Sequence, residues 1–232
     1  NGELKVGVVG DLGMPTTLIK NGEYVGFDLE IAKRFAASLG KKFVPIDMPF
    51  GSLIASISTN KIDMITASMM ITEEREKQID FSDPYFKSGI SVFAKKDNIE
   101  NAQSGKLAKL DDIADKRIGI FSGTVHDAFV AKKYPNAKLF RFDGTADMML
   151  SLKTGKIDAA MFDAVTAGLI LKRNPELGLL SDKVLDMPLG VGFNKKNPQL
   201  TKEFNAFLKE IHKNGIYDEM HKRWFVDDAE EA

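Results

Sequence analysis

The chain has 232 residues, is 44% hydrophobic and carries a net charge of −1, with Lys/Arg and Asp/Glu mixed throughout. That is enough apolar material for one large domain or two lobes, and the mixed charge offers no basic stripe for a nucleic acid. No apolar run approaches the ~18 residues that span a membrane, and the absence of cysteine excludes disulfides, thiolate chemistry and Cys-ligated zinc.

Asn1-Gly2-Glu3 leads directly into a strand, as in a cytosolic protein or a mature secreted one whose leader has been removed. Leu4 to Val9 reads as a short buried strand, and Gly10 to Asn21 as a loop rich in turn residues. From Phe27 a helix follows, with Ile31, Phe35 and Leu39 as its inward stripe and Gly40 at its end. Lys42 to Ile46 is a strand in which Pro45 argues against a central place. Leu53, Ile54 and Ile57 face inward on the next helix. Asp63 to Ala67 is a strand, and a turn at Ser68 to Met70 leads to a helix capped by Thr72.

Arg75 lies in the first turn of that helix, the wrong end of the macrodipole for a cation unless an anion sits opposite. A strand end, free backbone N–H groups and one arginine suit a carboxylate. From spacing alone, a solvated place among Glu74, Glu76 and Lys77 serves Arg75 better.

Ser88 to Lys95 reads as a strand, Asp97 to Lys109 as a surface loop, and Arg117 to Phe121 as a strand turning at Ser122-Gly123-Thr124 into a helix. Leu139 to Phe142 is strand-like, Ala146 to Lys153 helical, Ile157 to Phe162 a strand, and Ala164 to Lys172 a helix broken at Asn174-Pro175. Gly190 to Phe193 is a returning strand, and helices at Pro198 to His212 and Tyr217 to Trp224 close the chain. Asp227 to Ala232 reads as a solvated tail, and His212 and His221 as solvated positions.

Ser58 to Ile65 echoes Lys153 to Ala160: both read helix, turn, Lys-Ile-Asp, strand. Two α/β units suggest two lobes with a cleft between them. Ligands of open α/β sheets lie beyond the carboxyl ends of strands. Those places are Ser68 to Arg75 in the first unit, and Thr124 to His126 with Phe162-Asp163 in the second. An anion site in one and a carboxylate in the other would suit a zwitterion.

Gly26-Phe27-Asp28, the run Ile71-Thr72-Glu73-Glu74-Arg75 with Ile79-Asp80-Phe81-Ser82-Asp83-Pro84-Tyr85, Gly155 to Ala159 with Asp163, and Asn214-Gly215-Ile216-Tyr217 to Trp224-Phe225 resemble the bacterial extracellular solute-binding proteins of family 3. These serve polar amino-acid ABC importers. The resemblance covers nearly the whole chain. It implies an α/β periplasmic-binding-protein type II fold, two-lobed with two hinge strands. The first lobe would be 1–88 plus 190–232 and the second 90–187, with hinges near Ser88–Ile90 and Met187–Gly190, closing on one ligand.

Carried over by position, the resemblance implies that Arg75 forks the ligand carboxylate and the Met70 N–H assists. Ser68 and Asp163 take the ammonium. Phe50 stacks on the ligand side chain, and Thr124, Val125 and His126 touch carboxylate and side chain. Asp11 and Leu12 stand in a loop that usually carries an aromatic and two prolines. The family usually has a hydroxyl residue where this chain has Met70 and Val125. Left to their own spacing, Asp163 could cap the helix at Ala164, Phe50 could be core, and His126 an ordinary surface residue.

No nucleophile elbow, phosphate loop or metal-ligand cluster is present, so a binding protein without catalysis, cofactor or metal is expected. Its implied partners are a small zwitterion, an amino acid, and a membrane permease; it is expected to be a monomer, periplasmic or extracellular, with lipid anchoring of its precursor left open. Rival readings are a cyclohexadienyl or arogenate dehydratase on the same fold, with Asp11 or His126 as proton donor, and a sensor domain of a larger receptor.

Overall fold

The computed structural model describes residues 2–10, 12, 15–100, 107–122, 124–181 and 184–227. Two compact units share the chain: Asn1–Lys87 with Pro188–Ala232, and Ser88–Met187.

Strand β1 (Glu3–Val8) alternates exposed Glu3 and Lys5 with buried Leu4 and Val6, the period-two pattern of a strand. Instead of an unbroken loop up to Asn21, β2 (Leu18–Lys20) and β3 (Glu23–Val25) form an antiparallel hairpin. Asn21 and Gly22 both have positive φ, 53° and 78°, as a two-residue hairpin turn demands; the Asn-Gly pair was the signal for it. Helix α1 (Phe27–Ser38) buries Ile31 and Phe35, with Leu39 half-buried against the same core.

Strand β4 (Lys42–Asp47) lies at the edge of its sheet, where Pro45 removes no needed ladder bond. Next come α2 (Leu53–Ser58), β5 (Met64–Ile65), α3 (Glu73–Glu76), β6 (Asp80–Phe81) and β7 (Phe86–Ser88). A break at Gly89 separates β7 from β8 (Ile90–Lys95), so the single strand expected there is two. The expected loop from Asp97 begins as a short helix, α4 (Lys96–Glu100), and 101–106 lie outside the described residues.

The chain continues through β9 (Arg117–Phe121), α5 (Val125–Lys133), β10 (Lys138–Phe142), α6 (Thr145–Lys153), β11 (Ala159–Asp163), α7 (Ala164–Arg173) and β12 (Leu177–Ser181). It then forms β13 (Met187–Leu189), β14 (Gly192–Phe193), α8 (Pro198–Lys213) and α9 (Ile216–His221). Strand β12 was not expected from the sequence, whereas β13 lies where a strand was expected at Met187–Gly190. Of the expected tail, 228–232 lie outside the described residues.

The two units are wired alike. The first has strand order β4-β1-β5-β14-β6, the second β10-β9-β11-β8-β12. In each, the first three strands are parallel and the fourth runs antiparallel to the third. In the first unit α1 and α8 contribute Phe35, Phe204, Leu208 and Ile211 to one cluster, while α2 contributes Leu53 and Ile57 to another. In the second, Phe93, Met148, Leu152 and Phe162 form the core.

The repeated Lys-Ile-Asp performs one task twice. Asp63 Oδ2 accepts from the Lys5 N–H at 2.8 Å, and Asp158 Oδ2 accepts from the Arg117 N–H at 3.0 Å. Each aspartate N–H donates back to the carbonyl of the same residue, at 2.7 and 2.8 Å. The isoleucines pack on glycines of the first strands: a Cβ at Gly7 would stand 2.4 Å from Ile62 Cδ1, and one at Gly119 2.6 Å from Ile157 Cδ1. The motif thus docks the third strand of each sheet on the first.

The C-terminal helices are tied to α1 through Glu30. Its carboxylate accepts from Arg34 Nε (2.9 Å), Trp224 Nε1 (2.9 Å) and the Arg223 guanidinium. Burial works to raise the Glu30 carboxyl, but the bonds from Arg223, Trp224 and Arg34 outweigh it and leave the group below its usual value. A folded value below the unfolded one contributes stability that is full above the unfolded pKa and lost as pH falls through the folded one. Glu30→Gln should therefore cost about 1–3 kcal/mol at neutral pH, with the deficit shrinking below roughly pH 4. Urea denaturation at pH 7 and pH 3.5 checks this; an equal deficit at both would assign the loss to packing instead.

His221 is not a solvated position. It is half-buried and stacks on Phe86 and Phe225, with centroid distances of 5.8 and 4.7 Å. His212 is exposed and stacks on Tyr217 at 4.0 Å.

Candidate functional site

In each unit the candidate residues follow the carboxyl ends of parallel strands. Leu12 follows β1, Phe50 follows β4 and Ser68 follows β5; Thr124 follows β9 and Asp163 ends β11. Backbone groups and side chains are left there without ladder partners, and ligands of α/β sheets gather at such ends.

Past β5 the chain turns sharply, with Ser68 at φ 50°. Ile71 N–H donates to Pro188 O at 2.9 Å and Gly190 N–H to Met69 O at 3.0 Å, so Met70 is bridged to Leu189 while its own N–H has no partner among the described residues. Thr72 caps α3 as expected, its Oγ1 accepting from the Arg75 N–H at 3.1 Å.

That geometry takes Arg75 off the solvated face. The side chain is half-buried, Nη1 donates to Met70 O at 2.8 Å, and the guanidinium lies 5.4 Å from the Phe50 ring centre. Burial lowers the guanidinium from its usual value, and the nearby charge of Glu74 partly offsets this. No ion pair joins Arg75 to a carboxylate among the described residues. A half-desolvated cation with most of its donors unused among the described residues has the chemistry to take an external anion. Phe50 and Leu12 are both half-buried against the cluster of Val9, Leu53, Ile65 and Met69, so Phe50 is part core and part platform for Arg75.

In the second unit, His126 and Asp163 are brought together. His126 Nε2 lies 2.8 Å from Asp163 Oδ1, and His126 is buried rather than on the surface. Its Nδ1 has no hydrogen-bond partner among the described residues. Asp163 is the N-cap residue of α7 by position, yet its carboxylate makes no capping bond. Thr124 Oγ1 donates to Phe121 O at 2.8 Å, and Val125 opens α5 half-exposed. Asp11 lies outside the described residues.

Sequence reasoning missed what stands behind Ser68. Its Oγ donates to Asp28 Oδ2 at 2.7 Å, and the Tyr85 hydroxyl donates to Asp28 Oδ1 at 2.9 Å. Burial, with Asp28 beside it, holds the Tyr85 hydroxyl well above its usual value, so it stays a donor. The available signal was a carboxylate between two apolar residues, Phe27 and Leu29, at the head of a buried helix face.

Two α/β units, each with three parallel strands followed by an antiparallel fourth, are the architecture of the type II periplasmic binding proteins. No helix of the described residues is long and apolar enough to cross a membrane. Residues 4–227 match the bacterial extracellular solute-binding proteins, family 3, and the chain belongs to that family.

Among its relatives, ABC transporter arginine-binding protein 1 of Escherichia coli (strain K12) is 32% identical over 210 residues, which covers 88% of this chain and 83% of that protein. A mutant of ArgBP from T. maritima is 36% identical, with a TM-score of 0.87 and coverage of 97% of this chain and 95% of that one. An ancestral arginine-binding protein bound to arginine is 34% identical, with a TM-score of 0.85 and coverage of 97% and 99%. These relatives are binding proteins, not enzymes, and the dehydratase reading is not favoured.

Proposed function

We propose that the chain captures a free α-amino acid outside the cytoplasmic membrane and delivers it to the permease of an ABC importer. The observation that carries this reading is Arg75, half-buried on the Phe50 ring and joined to no carboxylate among the described residues. In this reading its free donors and the Met70 N–H take the ligand carboxylate. Ser68 and Asp163 take the ammonium, and His126 holds Asp163 from behind. Phe50 lies under the ligand side chain. The ligand sits in a cleft between lobes 1–88 plus 190–232 and 90–187, which close on it by bending near Ser88–Ile90 and Met187–Gly190. That relatives are named for arginine and glutamine supports polar and basic amino acids as the first candidates.

The test is a thermal-shift screen over the standard amino acids, on protein refolded from denaturant to remove retained ligand. A ligand at a hundredfold its Kd stabilises by about 2.7 kcal/mol, which for a chain of this size raises Tm by roughly 5–10 °C. At least one polar amino acid is expected to do so. No shift with any of them would overturn the reading.

A further inference from the structure

Asp28 is the second residue of α1 and is 1% exposed, between the core residues Phe27 and Leu29. Its carboxylate accepts from Ser68 Oγ and from the Tyr85 hydroxyl. Tyr85 is 2% exposed, and its own carbonyl accepts from the Tyr217 hydroxyl. Residues 28, 68 and 85 thus meet in one buried network, of which only Ser68 stands at a strand end.

The network decides which way Ser68 can bond. A hydroxyl has one proton, and a carboxylate only accepts. The Ser68 proton is committed to Asp28, so the lone pairs left on Oγ can only accept. Ser68 also sits at φ 50°, an uncommon conformation for a residue other than glycine, which the bond to Asp28 helps to hold. Two residues further along the Met70 N–H, and seven along the Arg75 guanidinium, offer only donors. The strand end therefore carries an acceptor beside donors, in a fixed order.

We propose that Asp28 is a positioning residue that makes Ser68 Oγ an obligate hydrogen-bond acceptor, and so selects ligands that bear an N–H donor beside their carboxylate. The proposal rests on the amino-acid reading above and names the residue that enforces it. Asp28→Asn should reverse the Ser68 hydroxyl. The buried Tyr85 hydroxyl needs an acceptor, which keeps the asparagine Oδ1, and the amide Nδ2 then donates to Ser68 Oγ. The Ser68 proton turns outward, towards the place of an ammonium.

The experiment is calorimetry with L-arginine and L-glutamine, each beside its des-amino counterpart, on the wild type, Asp28→Asn, Ser68→Ala and the double variant, with Tm recorded for each. Asp28→Asn is expected to weaken the bound amino acid about tenfold and to leave the des-amino compound within about twofold. Ser68→Ala should do the same, and the double variant should be no worse than either single one, since residues acting as a unit are not additive. Parallel weakening of both ligands, or additive losses, would overturn the proposal, because a residue that only supports the fold affects both ligands alike. If Asp28→Asn does not fold, Ser68→Ala decides: a lost preference for the amine supports the proposal, and the wild-type preference overturns it. Absence of binding of any standard amino acid by the wild type is a different result, which removes the functional reading and this inference with it.

Discussion

Arg75→Ala should remove most of the affinity for the amino acid. Truncating one partner of a desolvated, hydrogen-bonded charge pair costs about 2–5 kcal/mol, or roughly thirtyfold to several thousandfold in Kd. The upper part of that range is expected here. Met70 and Val125 carry no side-chain hydroxyl to share a carboxylate, so less remains when the guanidinium is gone. The loss should appear without unfolding, since Arg75 is only half-buried and its bond to Met70 O joins two nearby residues. Arg75→Lys should recover only part of the affinity: an ammonium cannot make a two-pronged bond to a carboxylate while donating to Met70 O, and it lacks the flat face that lies against Phe50. Calorimetry on the three proteins measures this. Wild-type affinity in the alanine variant would take Arg75 out of the site.

Gly26→Ala should be the most destabilising single-methyl change in the first unit. Gly26 has φ 130°, which side chains rarely adopt, and an added Cβ would stand 2.1 Å from Thr16 O and 2.6 Å from the Thr16 carbonyl carbon. Backbone cannot step aside there, because Phe27 N–H donates to Pro15 O at 2.8 Å and Asp28 N–H to Thr16 O at 3.2 Å. Strain and overlap together should cost about 3 kcal/mol or more. The same shift would move Asp28 away from Ser68, so ligand affinity should fall with stability. An unchanged denaturation midpoint would show that the segment around Thr16 yields more easily than its bonds suggest.

Much of this protein was legible in one dimension because its signals are local or periodic. The inward stripe of α1, the Thr72 cap and the edge position forced on β4 by Pro45 each depend on residues within a turn or two. The Lys-Ile-Asp repeat disclosed two like units, since the same docking of third strand on first is needed in each. Short elements were harder. The loop expected over Gly10 to Asn21 divides the two-residue turn at Asn21-Gly22, and β12 owes its form to a partner strand distant in the chain.

The site shows the division most plainly. Chain order alone set Ser68, Met70 and Arg75 near one strand end, and likeness to a family suggested their roles. Only the folded chain decided that Arg75 turns inward onto Phe50 rather than out among its glutamates, that Asp163 meets His126 rather than capping its helix, and that Asp28 and Tyr85 stand behind Ser68. The reason is physical. A cap or an apolar stripe is specified by neighbours along the backbone, whereas a hydrogen bond between side chains 40 or 57 residues apart depends on the packing of every strand and helix between them, and leaves no spacing in the sequence to read.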